Sequence, residues 1–317
     1  MVGVSLPQFT DDPCKLIDGV RRAEAAGLDS IWLFDHLWPL SGSRERPVFE
    51  CWSTLAWVAA ITESITIGTL VTRSSLRHPA LLGKMAATVG AIAPGRLTVG
   101  IGSGDELSKA ENEAFGIPYY PGDERIDQLV STVKVVRRYL HEASVTYHDD
   151  FAAIDDLPAS PRPEPPPRIW VGGRSEQVLE VAGTEADGWN GWGGTPEVFA
   201  ADSQLVLDYA GDRPMELSWA GQVIFGDTDR AAVDKLGPRN PKQYLVGAPE
   251  SVAEGLLRYV EAGARHLIIG FPDAATPGVY ETLAEIVVPI IDAATAPEPQ
   301  GVAGMEAPGR LTPSRER

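Results

Sequence analysis

The feature that most constrains this chain is a regular alternation of short apolar segments and longer amphipathic segments along most of its length. The apolar segments have the length and β-branched composition of strands buried on both faces, and the amphipathic ones have helical periodicity. Strands separated by helices at this short period form a parallel sheet with helical crossovers. The predicted strands cover residues 2–6, 30–34, 65–71, 96–100, 168–171, 187–190, 216–225 and 266–270.

The number of strand–helix units is about eight, which is the number that closes a TIM-type (β/α)8 barrel. We predict a single barrel over residues 1–295, with an irregular insertion at about 141–167. Residues 296–317 are rich in proline, glycine and charge, so we predict a disordered tail there. The predicted helices cover residues 13–26, 51–61, 79–93, 123–140, a segment from 175, 195–210, 249–262 and 278–293.

The composition narrows the range of partners. The chain has 317 residues and a formal net charge of -17, and such a surface repels the phosphates of nucleic acids. The two cysteines, Cys14 and Cys51, have no spacing typical of a disulfide framework or a thiolate metal site. We find neither a signal-peptide pattern nor an apolar run of membrane-spanning length. The predicted partner is a small molecule, and the predicted location is the cytoplasm.

The second predicted strand ends in Asp35 and His36, a carboxylate and an imidazole. In barrels of this kind the reactive groups lie at the carboxyl ends of the strands, so this pair is well placed for chemistry. Taken alone, it is also compatible with a capping aspartate and a structural histidine. The other strand ends must therefore decide between a catalytic and a structural interpretation.

Those other strand ends offer small and polar residues. Glycines at 172 and 173 open a helix directly after a strand, where backbone amides and the helix dipole can hold a phosphate. Glycines at 102 and 104 allow a flat ring to approach the backbone. Each feature alone is also typical of an ordinary turn. The candidate residues at these ends are Thr69, Leu70, Thr72, Ser103, Gly104, Asp105, Gly172, Gly173 and Ser175.

Two common classes of barrel or hydrolase chemistry are disfavoured. The chain has five histidines but no His-x-His pair, so a metal-dependent hydrolase is not indicated. No Gly-x-Ser-x-Gly elbow follows a strand, because the glycines around Ser103 do not have that spacing. A site for a phosphorylated cofactor fits the strand ends better than either class.

Taken together, these motifs resemble the luciferase-like flavin and deazaflavin oxidoreductases, a superfamily of TIM barrels. The resemblance extends from residue 2 to about residue 293. An Asp-His pair followed by Trp38 is similar to the branch that uses the 8-hydroxy-5-deazaflavin coenzyme F420. The segments that carry the resemblance are 26–32, 35–36, 49–50, 67–72, 77–80, 95–102, 115–116, 124–125, 169–173, 186–190 and 246–250.

The resemblance implies roles for the residues at the strand ends. Asp35 and His36 would line the reactive face of the cofactor, with His36 as acid or base, and Trp38 would form a wall on the substrate side. A non-prolyl cis peptide is expected between Thr69 and Leu70. The resemblance also implies a homodimer. The remaining implied contacts are Thr72, Ser103 and Gly104 with the ring or its ribityl chain, and Gly172, Gly173 and Ser175 with the phosphate.

One departure from the family pattern affects the catalytic assignment. Glucose-6-phosphate dehydrogenases of this branch carry glutamate where this chain has Asp105, whose shorter side chain places its acid–base role in doubt. Three interpretations therefore stay open: an F420-dependent oxidoreductase, an FMN-dependent monooxygenase, and a barrel that binds a flavin-type cofactor without turnover. The substrate and the direction of hydride transfer are not indicated.

Overall fold

The computed structural model describes residues 1–39, 43–272, 274 and 276–295, so the predicted tail at 296–317 lies outside the described residues. Eight parallel strands pair in chain order, and the last pairs with the first, which closes the sheet. The predicted (β/α)8 barrel is therefore confirmed. Its strands are β1 (Val2–Ser5), β2 (Ser30–Leu33), β3 (Thr66–Thr69), β4 (Leu97–Gly102), β5 (Arg168–Gly172), β6 (Gly188–Trp192), β7 (Glu216–Phe225) and β8 (His266–Gly270).

Helices on the outside of the barrel connect successive strands. The first is capped by Asp12, whose carboxylate accepts the Cys14 amide, and it stops just before Gly27, which adopts φ 75°. No helix among the described residues has both the length and the apolar character needed to cross a membrane. The helices are α1 (Pro13–Ala25), α2 (Cys51–Ile61), α3 (Pro79–Ile92), α4 (Ser108–Ala114), α5 (Gly122–His141), α6 (Glu176–Glu185), α7 (Pro196–Ala210), α8 (Asp229–Leu236), α9 (Pro249–Glu261), α10 (Val279–Thr282) and α11 (Val288–Thr295).

The final helix was predicted as one segment over residues 278–293, and the structure divides it into two α-helices. Helices α10 and α11 are joined by a π-helical turn, Leu283–Val287. Pro289 follows directly in the first turn of α11. Because proline has no amide hydrogen and its ring crowds the carbonyl four residues earlier, the wider turn accommodates it.

The insertion predicted to be irregular contains a β-hairpin. Strands Ser144–His148 and Ala153–Pro158 pair antiparallel outside the barrel. Val145 and Ile154 are buried there, and they provide the apolar face that a hairpin needs to pack on its neighbours. The prediction missed this hairpin because the strands are short and contain many polar residues, so their alternation is weak.

The lower part of the barrel is filled by aromatic side chains. The rings of Trp32 and Trp170 stack with centroids 5.0 Å apart, and His266 meets both at its edge. The His266 Nε2 atom lies 2.6 Å from the Ser30 hydroxyl. Burial, with the N-terminal ammonium group, lowers the pKa of His266 to about 3. This histidine starts its strand at the end of the barrel opposite the predicted site, and it is neutral at physiological pH.

Candidate active site

The end of β2 is anchored by the buried side chain of Gln8. Its amide nitrogen donates to the carbonyl oxygens of Phe34 (2.7 Å) and Phe49 (3.3 Å), and its oxygen accepts the Phe34 amide (2.6 Å). These bonds satisfy backbone groups that have just left the sheet. The chain therefore leaves the barrel in a fixed direction at Asp35 and His36.

The carboxylate of Asp35 lies behind the mouth and is bonded by the protein at both oxygens. It accepts both terminal nitrogens of Arg77 (2.6 and 3.1 Å), the Arg73 amide (3.1 Å) and the Thr72 hydroxyl. Glu50, the N-cap of α2, lies 3.3 Å from the same Arg77 guanidinium. Burial alone would raise the pKa of Asp35, but the hydrogen bonds and charge of Arg77, with the other donors, hold the pKa below its usual value. Asp35 is ionised and enclosed.

The ligand contacts predicted for Asp35, Thr69 and Thr72 stay predictions, and the structure shows how these side chains are held. The Thr72 hydroxyl is buried and also accepts the Trp52 indole nitrogen (3.0 Å). Thr69 is buried as well, and its hydroxyl donates to the Gly100 carbonyl (2.8 Å). All three side chains are thus fixed by hydrogen bonds within the protein. They support the mouth from behind.

His36 is the member of the predicted pair that reaches the mouth, with 17% of its side chain exposed. Its Nδ1 atom lies 3.2 Å from Oε2 of Glu111, which belongs to α4. The other oxygen of Glu111 accepts the backbone amides of Leu37 and Trp38. The Arg73 guanidinium lies 3.0 Å from Oε2 and forms a buried ion pair. Glu111 therefore holds the loop after β2 as well as the imidazole.

Glu111 was not among the predicted site residues. The spacing of Ser108, Glu111 and Asn112 marks one face of a short helix, and a polar face is normally turned to solvent. Here that face is buried, with Glu111 and Asn112 fully enclosed. Burial would raise the pKa of Glu111, but the contacts with His36 and Arg73 and with backbone amides outweigh it and lower the pKa. Nothing in the local sequence indicates this inversion.

Asp105, the other predicted acid, is engaged in its own loop. Its carboxylate accepts the amide (3.0 Å) and the hydroxyl (2.9 Å) of Ser108, the first residue of α4. In the described part of the chain, no hydrogen bond or ion pair joins Asp105 to His36. The nearby Ser103 hydroxyl donates to the Gly104 carbonyl (3.1 Å). The catalytic role of Asp105 and the ring contacts of Ser103 and Gly104 remain predictions.

The cis peptide implied by the resemblance is present but lies one residue further along the chain, between Leu70 and Val71 instead of between Thr69 and Leu70. The Val71 side chain occupies the space beside the ends of β4 and β5. A Cβ atom on Gly102 or Gly172 would come within 2.7 Å of the Val71 methyl groups. The absence of a side chain at Gly172 is therefore explained by this contact, and its predicted role toward a phosphate stays a prediction.

Aromatic side chains surround the mouth. The Phe34 ring meets Trp192 at 5.5 Å and Phe9 at 6.0 Å. Trp38, predicted to form a wall, carries the Arg44 guanidinium over its ring at 4.3 Å. Such rings offer flat apolar surface, and the cation adds a positive charge at the rim. The mouth thus combines apolar walls with His36.

Two glycine turns lie side by side at the ends of β5 and β6. Gly173 adopts φ 139°, and Gly193 and Gly194 adopt 63° and 76°, conformations that other residues rarely take. The carbonyl oxygen of each glycine is fixed by an aromatic donor: Gly173 by the Trp189 indole (2.8 Å), Gly193 by the Trp219 indole (3.1 Å) and Gly194 by the Tyr259 hydroxyl (2.6 Å).

These bonds determine where the next amide hydrogens point. Because a trans peptide is planar, its N–H is directed opposite to its C=O. The amides of Arg174, Gly194 and Thr195 therefore point away from the aromatic donors, and within the described residues they have no hydrogen-bond acceptor. Ser175 and Thr195 are the N-caps of α6 and α7. Free amides beside two helix N-termini are suited to an anion. The phosphate site predicted at the first turn stays a prediction, and the second turn was missed.

A sequence model of the luciferase-like monooxygenase family matches residues 2–245. The chain therefore belongs to this family, as the resemblance predicted. The F420-dependent glucose-6-phosphate dehydrogenase of Intrasporangium calvum is 32% identical, over 82% of this chain and 89% of its own length. The enzyme of the same name from Kineococcus radiotolerans is 28% identical, over 90% of this chain and 95% of its own.

A solved structure shows the same fold. The F420-dependent secondary alcohol dehydrogenase in complex with an F420-acetone adduct superimposes with a TM-score of 0.78. The match covers 92% of this chain and 98% of that chain, at 22% sequence identity. At this identity the likeness establishes the shared barrel.

Replacing Arg77 with methionine is expected to lower the free energy of unfolding by about 3–5 kcal/mol at pH 7, because Asp35 would remain buried without its partner. The folded-state pKa of Asp35 is lowered, so its contribution is present above the unfolded value, about 3.9, and is lost as the pH falls. In Arg77→Met burial raises that pKa, and the deficit relative to wild type shrinks toward pH 5. Urea unfolding at both pH values measures this difference.

The double variant Asp35→Asn with Arg77→Met is expected to lose less than Arg77→Met alone, since no charge is left buried. Arg230→Met is the control, because its ion pair with Asp234 is exposed and changes stability by less than about 1 kcal/mol. A loss in Arg77→Met that is independent of pH, or no larger than in the control, would contradict the assignment.

Proposed function

We propose that the protein is an oxidoreductase that uses coenzyme F420 and moves a hydride between C5 of the deazaflavin and a small organic substrate. The observation that carries the proposal is the partly exposed His36 imidazole at the mouth of a luciferase-like barrel. Curated relatives over most of the chain are named F420-dependent dehydrogenases, which supports the choice of cofactor.

The residues at the mouth fit a flat ring that carries an anionic chain. Phe34 and Trp192 offer apolar surface to a ring. The free amides of Arg174, Gly194 and Thr195 would hold a phosphate at the helix N-termini. The second turn has no Cβ atom at Gly193 or Gly194, so a phosphate can approach its backbone closely.

When bound, the deazaflavin supplies the hydride acceptor or donor. The residues of this chain would transfer the proton and would shape the surroundings of the substrate. In substrate oxidation, His36 Nε2 would accept the hydroxyl proton as the hydride leaves the adjacent carbon, and in reduction it would return that proton. The aromatic walls of Phe34 and Trp38 would position the substrate and exclude water.

We do not extend glucose-6-phosphate to this chain as substrate. In the loop at 226–245, Lys235 donates to the Phe225 carbonyl, and Arg239 donates to carbonyls at the end of the preceding helix α8. These two cations are therefore used locally and are not gathered around a sugar phosphate. The proposal is therefore limited to a small organic molecule.

The cofactor choice is tested by titrating the purified protein with F420 and with FMN and following fluorescence quenching. We expect tight F420 binding and weak FMN binding. Tighter binding of FMN would instead favour a flavin monooxygenase.

In His36→Ala, turnover is expected to fall about 100-fold because the acid–base group is lost. Cofactor affinity is expected to change much less, since the amides proposed to hold the phosphate remain. Unchanged turnover would remove His36 from the mechanism, and a wild type that binds F420 without turnover against any alcohol or carbonyl would favour pure binding.

Gly194→Ala is expected to weaken F420 binding about tenfold or more. The new Cβ would lie 2.5 Å from an Arg174 guanidinium nitrogen, and φ 76° is strained for alanine, so the turn must move and its charge-assisted hydrogen bonds are lost. A deazaflavin without the phosphate should bind the wild type and Gly194→Ala with equal affinity. Gly211→Ala is the control, because Gly211 has φ 61° with open space and ends α7 away from the turn. Equal losses for both ligands would contradict a phosphate site.

We further infer that the protein forms a homodimer. Apolar side chains on neighbouring helices α2 and α3 are exposed, with Ile61 at 40%, Leu81 at 53% and Ile92 at 44%. Exposed apolar side chains that form a patch are typical of protein interfaces, and we propose that these three take part in one. Light scattering at micromolar concentration should give twice the chain mass, and the variant Leu81→Glu should give the chain mass. A monomeric wild type would contradict this inference.

A further inference from the structure

The geometry points to Glu111 as a positioning residue that fixes the tautomer of His36, with the hydrogen on Nδ1 and the lone pair of Nε2 available at the mouth. The inference rests on the proposed function and adds the group that prepares its proton acceptor. Glu111 lies on α4, far from His36 in the sequence, and its Oε2 atom is 3.2 Å from Nδ1. With a carboxylate as the neighbour, Nδ1 is the donor.

Glu111 cannot itself touch a substrate. Only 1% of its side chain is exposed. One oxygen accepts two successive backbone amides, and the other faces His36 and Arg73. Both oxygens are thus occupied by donors of the protein. Its effect on the reaction must pass through the imidazole.

The charged groups around the imidazole support a carboxylate at this position. Arg73 donates through Nε to the Asp35 carbonyl (3.1 Å) and through Nη1 to Asn112 (3.1 Å), while Nη2 faces Glu111. This guanidinium therefore ties the end of β2 to α4 and keeps Glu111 ionised. Arg77 is neutralised by Asp35 and Glu50. The group that faces Nδ1 is therefore an ionised carboxylate, which is a hydrogen-bond acceptor.

The tautomer has a direct consequence for proton transfer. In a neutral imidazole with hydrogen on Nδ1, Nε2 carries the lone pair. During oxidation of an alcohol to a carbonyl, the O–H bond would break as the N–H bond forms at Nε2, and a bound deazaflavin would supply the acceptor for the hydride from carbon. The opposite tautomer presents a hydrogen at Nε2 and cannot accept this proton. Positioning by Glu111 therefore selects the competent form.

Glu111→Gln tests this role with minimal change in shape. Glutamine has one oxygen, and the backbone amides of Leu37 and Trp38 compete for it with Nδ1. With the oxygen on the backbone amides, its NH2 group faces Nδ1 as a donor and forces the hydrogen to Nε2. We expect ¹⁵N spectra of histidine-labelled protein to show the Nδ1–H form in the wild type and the Nε2–H form in Glu111→Gln. His36→Gln assigns the signal.

Kinetics provide the second measurement. In Glu111→Gln, kcat is expected to fall about 100-fold, because the general base is lost. KM and the F420 dissociation constant should change less than about threefold, since Glu111 touches neither ligand. The control is Glu113→Gln on the same helix, which removes the same charge from an exposed side chain paired loosely with Lys109. It should leave the tautomer and kcat at wild-type values.

The outcomes separate this inference from the proposed function. A wild type with hydrogen on Nε2 overturns the role of Glu111 without any variant. A Glu111→Gln protein that keeps the Nδ1–H form and a kcat within about threefold of wild type also overturns it. A Glu113→Gln protein whose kcat falls as far as that of Glu111→Gln overturns it as well. A wild type that binds no F420 overturns the proposed function instead, while the tautomer measured without cofactor still reports on Glu111.

Discussion

The mouth of this barrel depends on two buried ion pairs that share one short stretch of backbone. Arg77 neutralises Asp35, and Arg73 neutralises Glu111. Isolated charges in such surroundings are costly, so each pair forms only when both partners and their further hydrogen bonds are in place. The pairs join the ends of β2 and β3 to the helix after β4. The position of His36 follows from this framework.

The framework also explains why the neighbours Asp35 and His36 have different roles. The residues are adjacent, so their side chains leave the backbone in different directions. The Asp35 carboxylate is turned inward to the Arg77 guanidinium and the Arg73 backbone amide, and the imidazole is turned toward the mouth. The two neighbours, which resemble a catalytic dyad in the sequence, are thus a buried anion and a partly exposed imidazole.

The barrel was predictable because its signals are local and repeated. Buried strands such as β7 and β8 have the same bounds in the prediction and in the structure, and family membership followed from short motifs at their ends. Glu111 was not predictable, because its partner lies 75 residues away and a polar helix face indicates solvent. The second glycine turn was missed for a related reason. The orientation of its amides depends on Trp219 and Tyr259, which reach it from later elements.

Helix α4 lies in a loop at the rim of the barrel and also contacts His36. The segment that contains it, residues 103–121, follows the fourth strand at the rim, where variation in loops normally changes the choice of substrate. The same segment carries Glu111, which contacts His36. Exchanging this loop between relatives to graft a new specificity would therefore also exchange the partner of the imidazole. Under the proposed function, engineering of substrate range and of proton chemistry in this chain is coupled unless the graft keeps a carboxylate at that helical position.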